Sequence, residues 1–388
     1  MIQLTTHPAL AAHFDAADRN RIADLQEALS PAALRQWAAT PGALYARDNW
    51  ADLGARGLFS LGIPDGTAPT GRDFARTVAM LSDCLTHDVR SDLDMAIYVH
   101  GLVAPYAMVM HPDCPFAEDL LPRMKRGETI ACTAYTDADP DRPVIGRKVA
   151  GGYYLSGRKW LSVNMPVADH AFVTFDVGRN RHAAIVEFEG SGIDRTRLKQ
   201  IAGDSLYAQG ALEFNYTYVP DANILSDGLR RLRVWNRVMS ASRLLNAISA
   251  CRSLHYLIDV VITELAHRPI AGAPFRDQPQ FRKWVGSARA KAAVLEAAII
   301  STLADMAENR IDEARISGLK AYAVRVAADM AELARDMAGG AGTLANSEIA
   351  KVATSLSYHK FSGGSEAQLM ALYSTSLSRR TQTPKVAA

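Results

Sequence analysis

Several groups of residues in this 388-residue chain could do chemistry by type and spacing. Asp137, Asp139 and Asp141 fall at alternate positions, as the first ligands of a calcium loop do. Such a loop needs glycine at its sixth position and glutamate at its twelfth. Arg142 and Lys148 stand there, so a solvated turn or a reshaped ligand-binding loop is expected instead. Gly340-Ala341-Gly342 suggests a cradle for nucleotide phosphates. That chemistry needs a strand before the glycines and a helix after them, so that the helix N-terminus faces the anion. Here the glycines follow a helical pattern and no GxGxxG completes them; a helix stop is the plain alternative. Arg230, Arg231, Arg233 and Arg237 form a basic cluster, expected as a solvated helix face or, less simply, a ligand-phosphate contact. Cys84, Cys114, Cys132 and Cys251 are scattered without CxxC spacing, which argues against a zinc site or a disulfide framework and fits a reducing compartment.

The elements that must position these groups follow from periodicity. Residues 1–110 alternate helical patterns with short breaks, and Met95 to Met108 is apolar enough for a helix buried on more than one side. His100 lies in that run, and a structural histidine is the preferred reading. From Leu121 to Asp169 the pattern changes. A basic helix end and a Gly127-Glu128 turn lead into the apolar run Ile130–Tyr135. An Asp/Pro loop follows, and then Tyr153–Leu155 enters the Ser156-Gly157 turn. Turn residues bounding β-branched and aromatic runs mark strands and hairpins. Phe172, Thr174 and Asp176 alternate with Val173, Phe175 and Val177, and Leu212, Phe214, Tyr216 and Tyr218 alternate with Glu213, Asn215 and Thr217. This period places one set on a core face and the other toward solvent or a partner layer. Beyond residue 230 the pattern is helical again. Trp284, Ala288, Ala292, Leu295, Ile299, Leu303 and Met306 form one apolar stripe, and Gly318 is read as a break before a helix over 319–338. The expected class is α+β, with a helical segment 1–127, a β segment 128–226 and a C-terminal helical bundle 227–388.

Composition narrows the function. The apolar and charged fractions, 48% and 22%, are those of an ordinary globular protein, and the formal charge of +2 gives no reason to expect nucleic acid or an anionic membrane as partner. No apolar run reaches about 18 residues, so a membrane span is not expected. The N-terminus carries His7, His13 and Asp15 rather than an apolar leader core, and a cytoplasmic location is expected.

The order of these segments resembles the acyl-CoA dehydrogenase superfamily over nearly the whole chain. Members read roughly LP-x-L-x-x-GE, then an apolar run ending in TEPGAGSD, then DGGY-x-LNG-x-K-x-W and an AD pair. Leu121-Pro122, Gly127-Glu128, Gly151–Tyr153, Gly157, Lys159 and Ala168-Asp169 fall in that order here. The segment from Asp52-Leu53-Gly54 to Ile63-Pro64 resembles the family's ELG-x-x-GL-x-x-x-x-VP, and Val219-Pro220 to Leu225 its VP-x-x-N-x-L. Thr136-Asp137 stands where the family has Thr-Glu, and Ala138–Pro143 replaces its glycine-rich loop.

The resemblance implies FAD and assigns residues to it. Thr136, Asp137, Trp160 and Ser162 become candidate flavin-ring contacts, although the family sets its aromatic two residues after the lysine, where Leu161 stands. Arg268, in a segment similar to ER-x-x-FG, becomes a pyrophosphate partner, for which a guanidinium is suited. Asp336, Gly339 and Gly340 lie where the family's Q-x-x-GG-x-G approaches a neighbouring subunit's FAD, and Ser365 completes the cofactor set.

The same resemblance exposes a missing base. The family removes an α-proton with a glutamate at one of two places. One directly precedes the arginine matched by Arg243, and that residue is Ser242. The other precedes Gly-Thr in an EGT motif, and that position is Gly363. Neither serine nor glycine is a general base at neutral pH. Glu366 is the nearest replacement, with a solvated glutamate as the alternative. Gly363, Glu366, Arg243 and Ser242 are therefore the candidate catalytic positions of a superfamily member that lacks the glutamate at both usual places. The implied function is an FAD oxidoreductase of a CoA- or carrier-bound acyl thioester, using molecular oxygen as an oxidase or monooxygenase. An α,β-dehydrogenase with a displaced base passing electrons to another acceptor, or a non-redox lyase or binder retaining flavin, are the alternatives. A homo-oligomer, dimer or tetramer, is expected, and no resident metal.

Overall fold

The structure, a computed structural model, describes residues 3–40, 43–63, 69–86, 92–111, 113–189, 191, 193–197, 208–226, 229–344 and 346–381. Pro64 of the expected turn lies outside them, as do the side chains of Arg230, Arg231 and Arg233 in the basic cluster; Arg237 is exposed.

Seven helices come first: α1 (Ala16–Ala28), α2 (Pro31–Ala39), α3 (Arg47–Ala55), α4 (Gly71–Cys84), α5 (Asp92–Tyr98), α6 (Ala104–Val109) and α7 (Pro115–Lys125). Eight strands follow: β1 (Ala131–Ala134), β2 (Ile145–Val149), β3 (Gly152–Val163), β4 (His170–Val177), β5 (Asn180–Glu187), β6 (Asp194–Arg197), β7 (Gln209–Pro220) and β8 (Ile224–Ser226). The C-terminal part holds α8 (Leu229–Leu265), a small hairpin of β9 (Pro269–Ile270) and β10 (Ala273–Pro274), then α9 (Pro279–Ala307), α10 (Glu313–Ala338), α11 (Glu348–His359) and α12 (Glu366–Thr381). The helix–sheet–helix order is the one expected. By compactness the chain divides into two units. One runs Ala12–Asp88 and Asp92–Met239; the other takes Ser240–Ala388 with the N-terminal residues Met1–Ala11 and Val89–Ser91. The N-terminal helices and the sheet thus share a unit, and the boundary falls inside α8.

In the first unit the strands order as β6-β7-β3-β2-β4-β5-β8, with β1 added parallel to β4. Helices α6 and α7 cover one face through Ala107, Met108, Ala117, Leu120 and Met124, which pack with Phe172, Ala183 and Ile185. β4 is buried from His170 to Thr174 and on through Phe175, so its two alternating sets meet partner layers rather than solvent. On β7 the expected alternation changes hands midway. Leu212 and Phe214 are buried, but Tyr216 is 74% exposed, and Thr217 and Val219 take the inward positions after it. Tyr216 is the extra residue of a bulge: Leu155 pairs with Thr217 and Ser156 with Asn215, and Tyr216 itself has φ 53°. One inserted residue moves every later side chain to the other face.

His100 sits in the π-helical turn Val99–Val103 that joins α5 to α6. The Ala131 N–H donates to its Nδ1 at 3.1 Å, so its Nε2 carries the proton donated to Met124 O at 3.1 Å. Burial pushes this imidazole down to about 3, and it ties the helix to β1 and α7 as a neutral ring. The structural reading of His100 holds.

In the second unit all seven residues of the predicted α9 stripe are buried. Segment Asn236–Leu265 of α8 is long and apolar enough to cross a membrane by length and composition, with mean hydropathy 1.2, but 78% of that window is buried inside the protein. It reads as a core helix.

Gly318 corrects the expectation of a break. It lies within α10, which starts at Glu313 behind an Asp312 side-chain cap. A Cβ at Gly318 would stand 2.9 Å from Cδ1 of Tyr373, so the glycine serves the close approach of α12 and not a helix end. Gly318→Val is therefore expected to cost about 1–3 kcal/mol as an overpacked site. In thermal melts, Tyr373→Ala in the same chain should recover part of the loss; equal losses in the single and double variants would contradict this packing.

Candidate active site

The candidate residues assemble in three places. The first is at the end of β1. The Trp160 N–H donates to Thr136 O at 2.8 Å and the Ala138 N–H to Arg158 O at 2.9 Å, so residues 136–138 pair with 158–160. Thr136 is exposed and Trp160 half-buried, with the Arg158 guanidinium 5.1 Å from the ring centroid. β3 bulges between Lys159 and Ser162, where Leu161 has φ 54° and is 49% exposed. Ser162 is 1% exposed and its Oγ has no hydrogen-bond partner among the described residues.

Asp137 is placed differently from expectation. Its Oδ1 accepts from Lys159 Nζ at 2.7 Å and from the Val144 N–H at 2.9 Å, and its Oδ2 accepts from Arg181 at 3.0 Å. The carboxylate is spent inside the fold, not offered to a ligand. Asp139 Oδ1 accepts the Asp141 N–H at 2.9 Å in a local turn. Among the described residues no group of His, Cys, Asp and Glu has metal-site geometry.

The second place is the turn between α11 and α12. Arg243 donates from Nε to Gly363 O at 2.9 Å and from Nη1 to Ser317 Oγ at 3.1 Å. Lys320 on α10, 1% exposed, donates to Gly364 O at 2.9 Å and Lys360 O at 3.4 Å. Gly363 has φ 68°, a conformation that costs a residue with a Cβ roughly 1–2 kcal/mol. Ser365 is engaged with Gln368: its N–H donates to Gln368 Oε1 at 3.0 Å, and the Gln368 N–H donates back to Ser365 Oγ at 3.4 Å. This is a capping box opening α12. Glu366 faces Arg325 at 3.2 Å with 44% of its side chain exposed, a surface pair at the helix start. Ser242 is buried, and its carbonyl accepts from Asn246 Nδ2 at 2.8 Å. Asn246 Oδ1 in turn accepts from His359 Nδ1 at 2.8 Å, which fixes that tautomer.

The third place is the far end of α10. Arg268 donates to Ala338 O at 2.9 Å, beside Gly339 and Gly340. Both glycines are exposed, and a Cβ at either would meet nothing within 4 Å. Asp336 is exposed, and its carbonyl accepts the Gly339 N–H. The hairpin carrying Arg268 turns through Ala271 and Gly272, both at positive φ (51° and 81°), as a two-residue turn of this hand requires.

Lys320, Asn246 and His359 were not singled out from sequence, and Lys159 was marked only as a motif position without a role. Lys320 had a visible signal: it shares a helical face with Ile316, Ala323 and Ala327, where a lysine is out of pattern.

The helical, β and helical parts define the acyl-CoA dehydrogenase fold. The chain is similar over 98% of its length to 99% of the glutaryl-CoA dehydrogenase from Mycobacterium smegmatis, at 17% identity and a TM-score of 0.81. It covers 94% of its own length and 98% of an acyl-CoA dehydrogenase from Geobacillus kaustophilus at 18% and 0.82. Against PigA solved with FAD and proline the shares are 95% and 99%, at 14% and 0.79. A search of curated proteins finds no match. Residues 232–377 match the family model of the acyl-CoA dehydrogenase C-terminal domain.

Burial lowers the Lys320 ammonium to about 7, with Arg243 pushing the same way and Glu366 opposing. Unfolded lysine titrates near 10.4. Between those values the unfolded chain holds a proton that the folded chain has lost, so folding stability rises with pH across the window. Lys320→Met should remove this share. Chemical denaturation between pH 7 and 10 is expected to give a shallower rise for the variant than for wild type; parallel curves would show that Lys320 is an ordinary lysine.

Proposed function

We propose that this chain is an FAD-dependent oxidoreductase of a CoA- or carrier-bound acyl thioester, with dioxygen as the electron acceptor. Structures of the same fold bind the flavin: a glutaryl-CoA dehydrogenase in complex with FADH2 and PigA with FAD. The donor set here fits that group. The buried Ser162 Oγ lacks a partner, Trp160 offers a half-buried ring and Thr136 an exposed hydroxyl, while Arg268 stands over two glycines with open space around them. Bound there, FAD supplies hydride acceptance from carbon and, once reduced, a route to dioxygen. The chain's own part is to orient the ring through Thr136, Trp160 and Ser162 and to hold the pyrophosphate through Arg268.

The observation that carries the oxygen-using reading is the α11–α12 turn. Gly363 lends no side chain, Glu366 is turned to Arg325, and the groups reaching the turn from α8 and α10 are the cations Arg243 and Lys320. Proton abstraction α to a thioester needs a base near neutrality, and no carboxylate is held at this turn among the described residues. The second reading, a dehydrogenase with a displaced base, is favoured by Lys320 alone, which titrates near 7 beside Gly364.

Two places on α10 also argue for a homo-oligomer. At about 1.5 Å per residue, Lys320 and Ala338 lie roughly 27 Å apart along the helix. Arg268 and the Gly339–Gly340 backbone therefore lie far from the Gly363 turn, and the reading gives them to the cofactor of a neighbouring subunit. Flavin is expected to co-purify with a dimer or larger assembly in sedimentation. Arg268→Ala removes a charged hydrogen bond worth about 1.5–3 kcal/mol, so its FAD should dissociate on dilution while wild type retains it. Retention equal to wild type, or a flavin-loaded monomer, would contradict the assignment.

Anaerobic mixing with a panel of acyl thioesters, followed by air, tests the reaction itself. Bleaching of the flavin by one thioester and fast reoxidation with oxygen incorporation is the expected result. Slow reoxidation while the substrate stays bound would favour the dehydrogenase, and no bleaching with any thioester would leave a lyase or a flavin-retaining binder.

A further inference from the structure

Lys159 lies wholly within the fold at 0% exposure, and its ammonium has three hydrogen-bond acceptors. Nζ reaches Asp137 Oδ1 at 2.7 Å, Tyr135 O at 3.2 Å and Thr174 Oγ1 at 3.2 Å. An ammonium has three N–H groups and a neutral amine only two, so all three contacts can be made by donation only in the charged form. Two of them flank a single residue: Tyr135 precedes Thr136 and Asp137 follows it. Thr136 O in turn receives the Trp160 N–H, and Trp160 is the residue after Lys159. The carboxylate that faces the ammonium is itself fixed by Arg181, whose Nε also reaches Asp176 Oδ1 at 2.8 Å, and by the Val144 N–H at the far end of the 138–143 loop. One buried cation therefore fastens the chain on both sides of Thr136, alongside the backbone pairing of 136–138 with 158–160.

We propose that Lys159 is a positioning residue for the cofactor-ring contacts: its ammonium holds the Tyr135 carbonyl and the Asp137 carboxylate, one on each side of Thr136, and thereby sets the Thr136–Trp160 pair. This rests on the reading that Thr136 and Trp160 touch a flavin. It adds that loss of the Lys159 charge displaces them together without touching the ring directly.

The groups facing Lys159 are Asp137 after β1, Thr174 and Asp176 on β4, and Arg181 on β5, with the Tyr135 carbonyl at the end of β1. Burial pushes the ammonium down to about 8, with Asp137 and Asp176 opposing the fall and Arg181 adding to it. The grip is present below that pH and released above it.

The test uses the full-length chain as purified, with and without added FAD. Trp160 emission is isolated by difference from Trp160→Phe. In wild type it should titrate with a midpoint near pH 8. Lys159→Met keeps the aliphatic stem and removes the charge; its Trp160 emission should be shifted and flat with pH, and its FAD dissociation constant raised tenfold or more. Asp137→Asn, which keeps the shape of the carboxylate, should move both readouts in the same direction, and it decides the matter should Lys159→Met fail to fold. A folded Lys159→Met with wild-type Trp160 emission and wild-type FAD affinity would overturn the proposal. So would a wild-type Trp160 signal that does not titrate between pH 7 and 10. If wild type binds no FAD, the cofactor reading fails by itself, and the Trp160 signal still decides whether Lys159 positions the pair.

Discussion

A charge taken out of water fixes the part of the sheet on which the proposed chemistry depends. Removing an ammonium from solvent costs several kcal/mol unless acceptors replace the lost hydration. Lys159 meets that cost with a carboxylate at 2.7 Å and two further oxygens. The carboxylate is shared with a second cation, Arg181, which also pairs with Asp176, so Lys159, Asp137, Arg181 and Asp176 form a chain of alternating sign from β3 to β5. Where the superfamily's Thr-Glu is replaced by Thr136-Asp137, the shorter side chain still reaches its lysine. The Ala138–Pro143 loop then closes back onto the same carboxylate through the Val144 N–H.

The other buried lysine solves the same problem without a carboxylate. Lys320 donates to the carbonyl of Lys360, which directly follows the end of α11 at His359, and to that of Gly364 in the turn beyond it. The C-terminus of a helix carries partial negative charge from its unpaired carbonyls, so α11 itself supplies part of a counter-ion. Burial lowers both ammonium groups; at Lys320 Arg243 adds to the fall, and at Lys159 the Asp137 carboxylate opposes it.

The order of elements was legible because it rests on period and turn chemistry. The stripe from Trp284 to Met306 could only be one face of a helix, and it is. What escaped was decided by neighbours distant in sequence. Gly318 looks like a helix break in isolation; only the ring of Tyr373, brought in by α12, explains it. Tyr216 fits the alternation of β7 perfectly as letters, yet a bulge set by pairing with β3 turns it outward. Ser365 stands where the superfamily contacts its cofactor, but Ser365-Glu366-Ala367-Gln368 is also the spacing of a capping box, and the helix start uses it so. Asp137 was placed by motif at the cofactor, although the lysine that takes its carboxylate lies 22 residues on. Local rules name a residue's options, and the fold chooses among them.

Gly363 is fixed by its surroundings as much as by its lack of a side chain. The turn runs through φ 68° there, and its carbonyl is taken by Arg243 while the next carbonyl is taken by Lys320. A carboxylate set on this turn would stand among two cations. Opposite charges nearby favour its ionised form and lower its pKa, and a carboxylate so stabilised is a weak base toward carbon. The glycine, the left-handed turn and the buried Lys320 therefore agree with one another. Each makes a proton-abstracting glutamate harder to accommodate, so reinstating one at 363 would also require the charge at 320 to be removed. The proposed reading of the turn rests on this mutual consistency and not on the missing side chain alone.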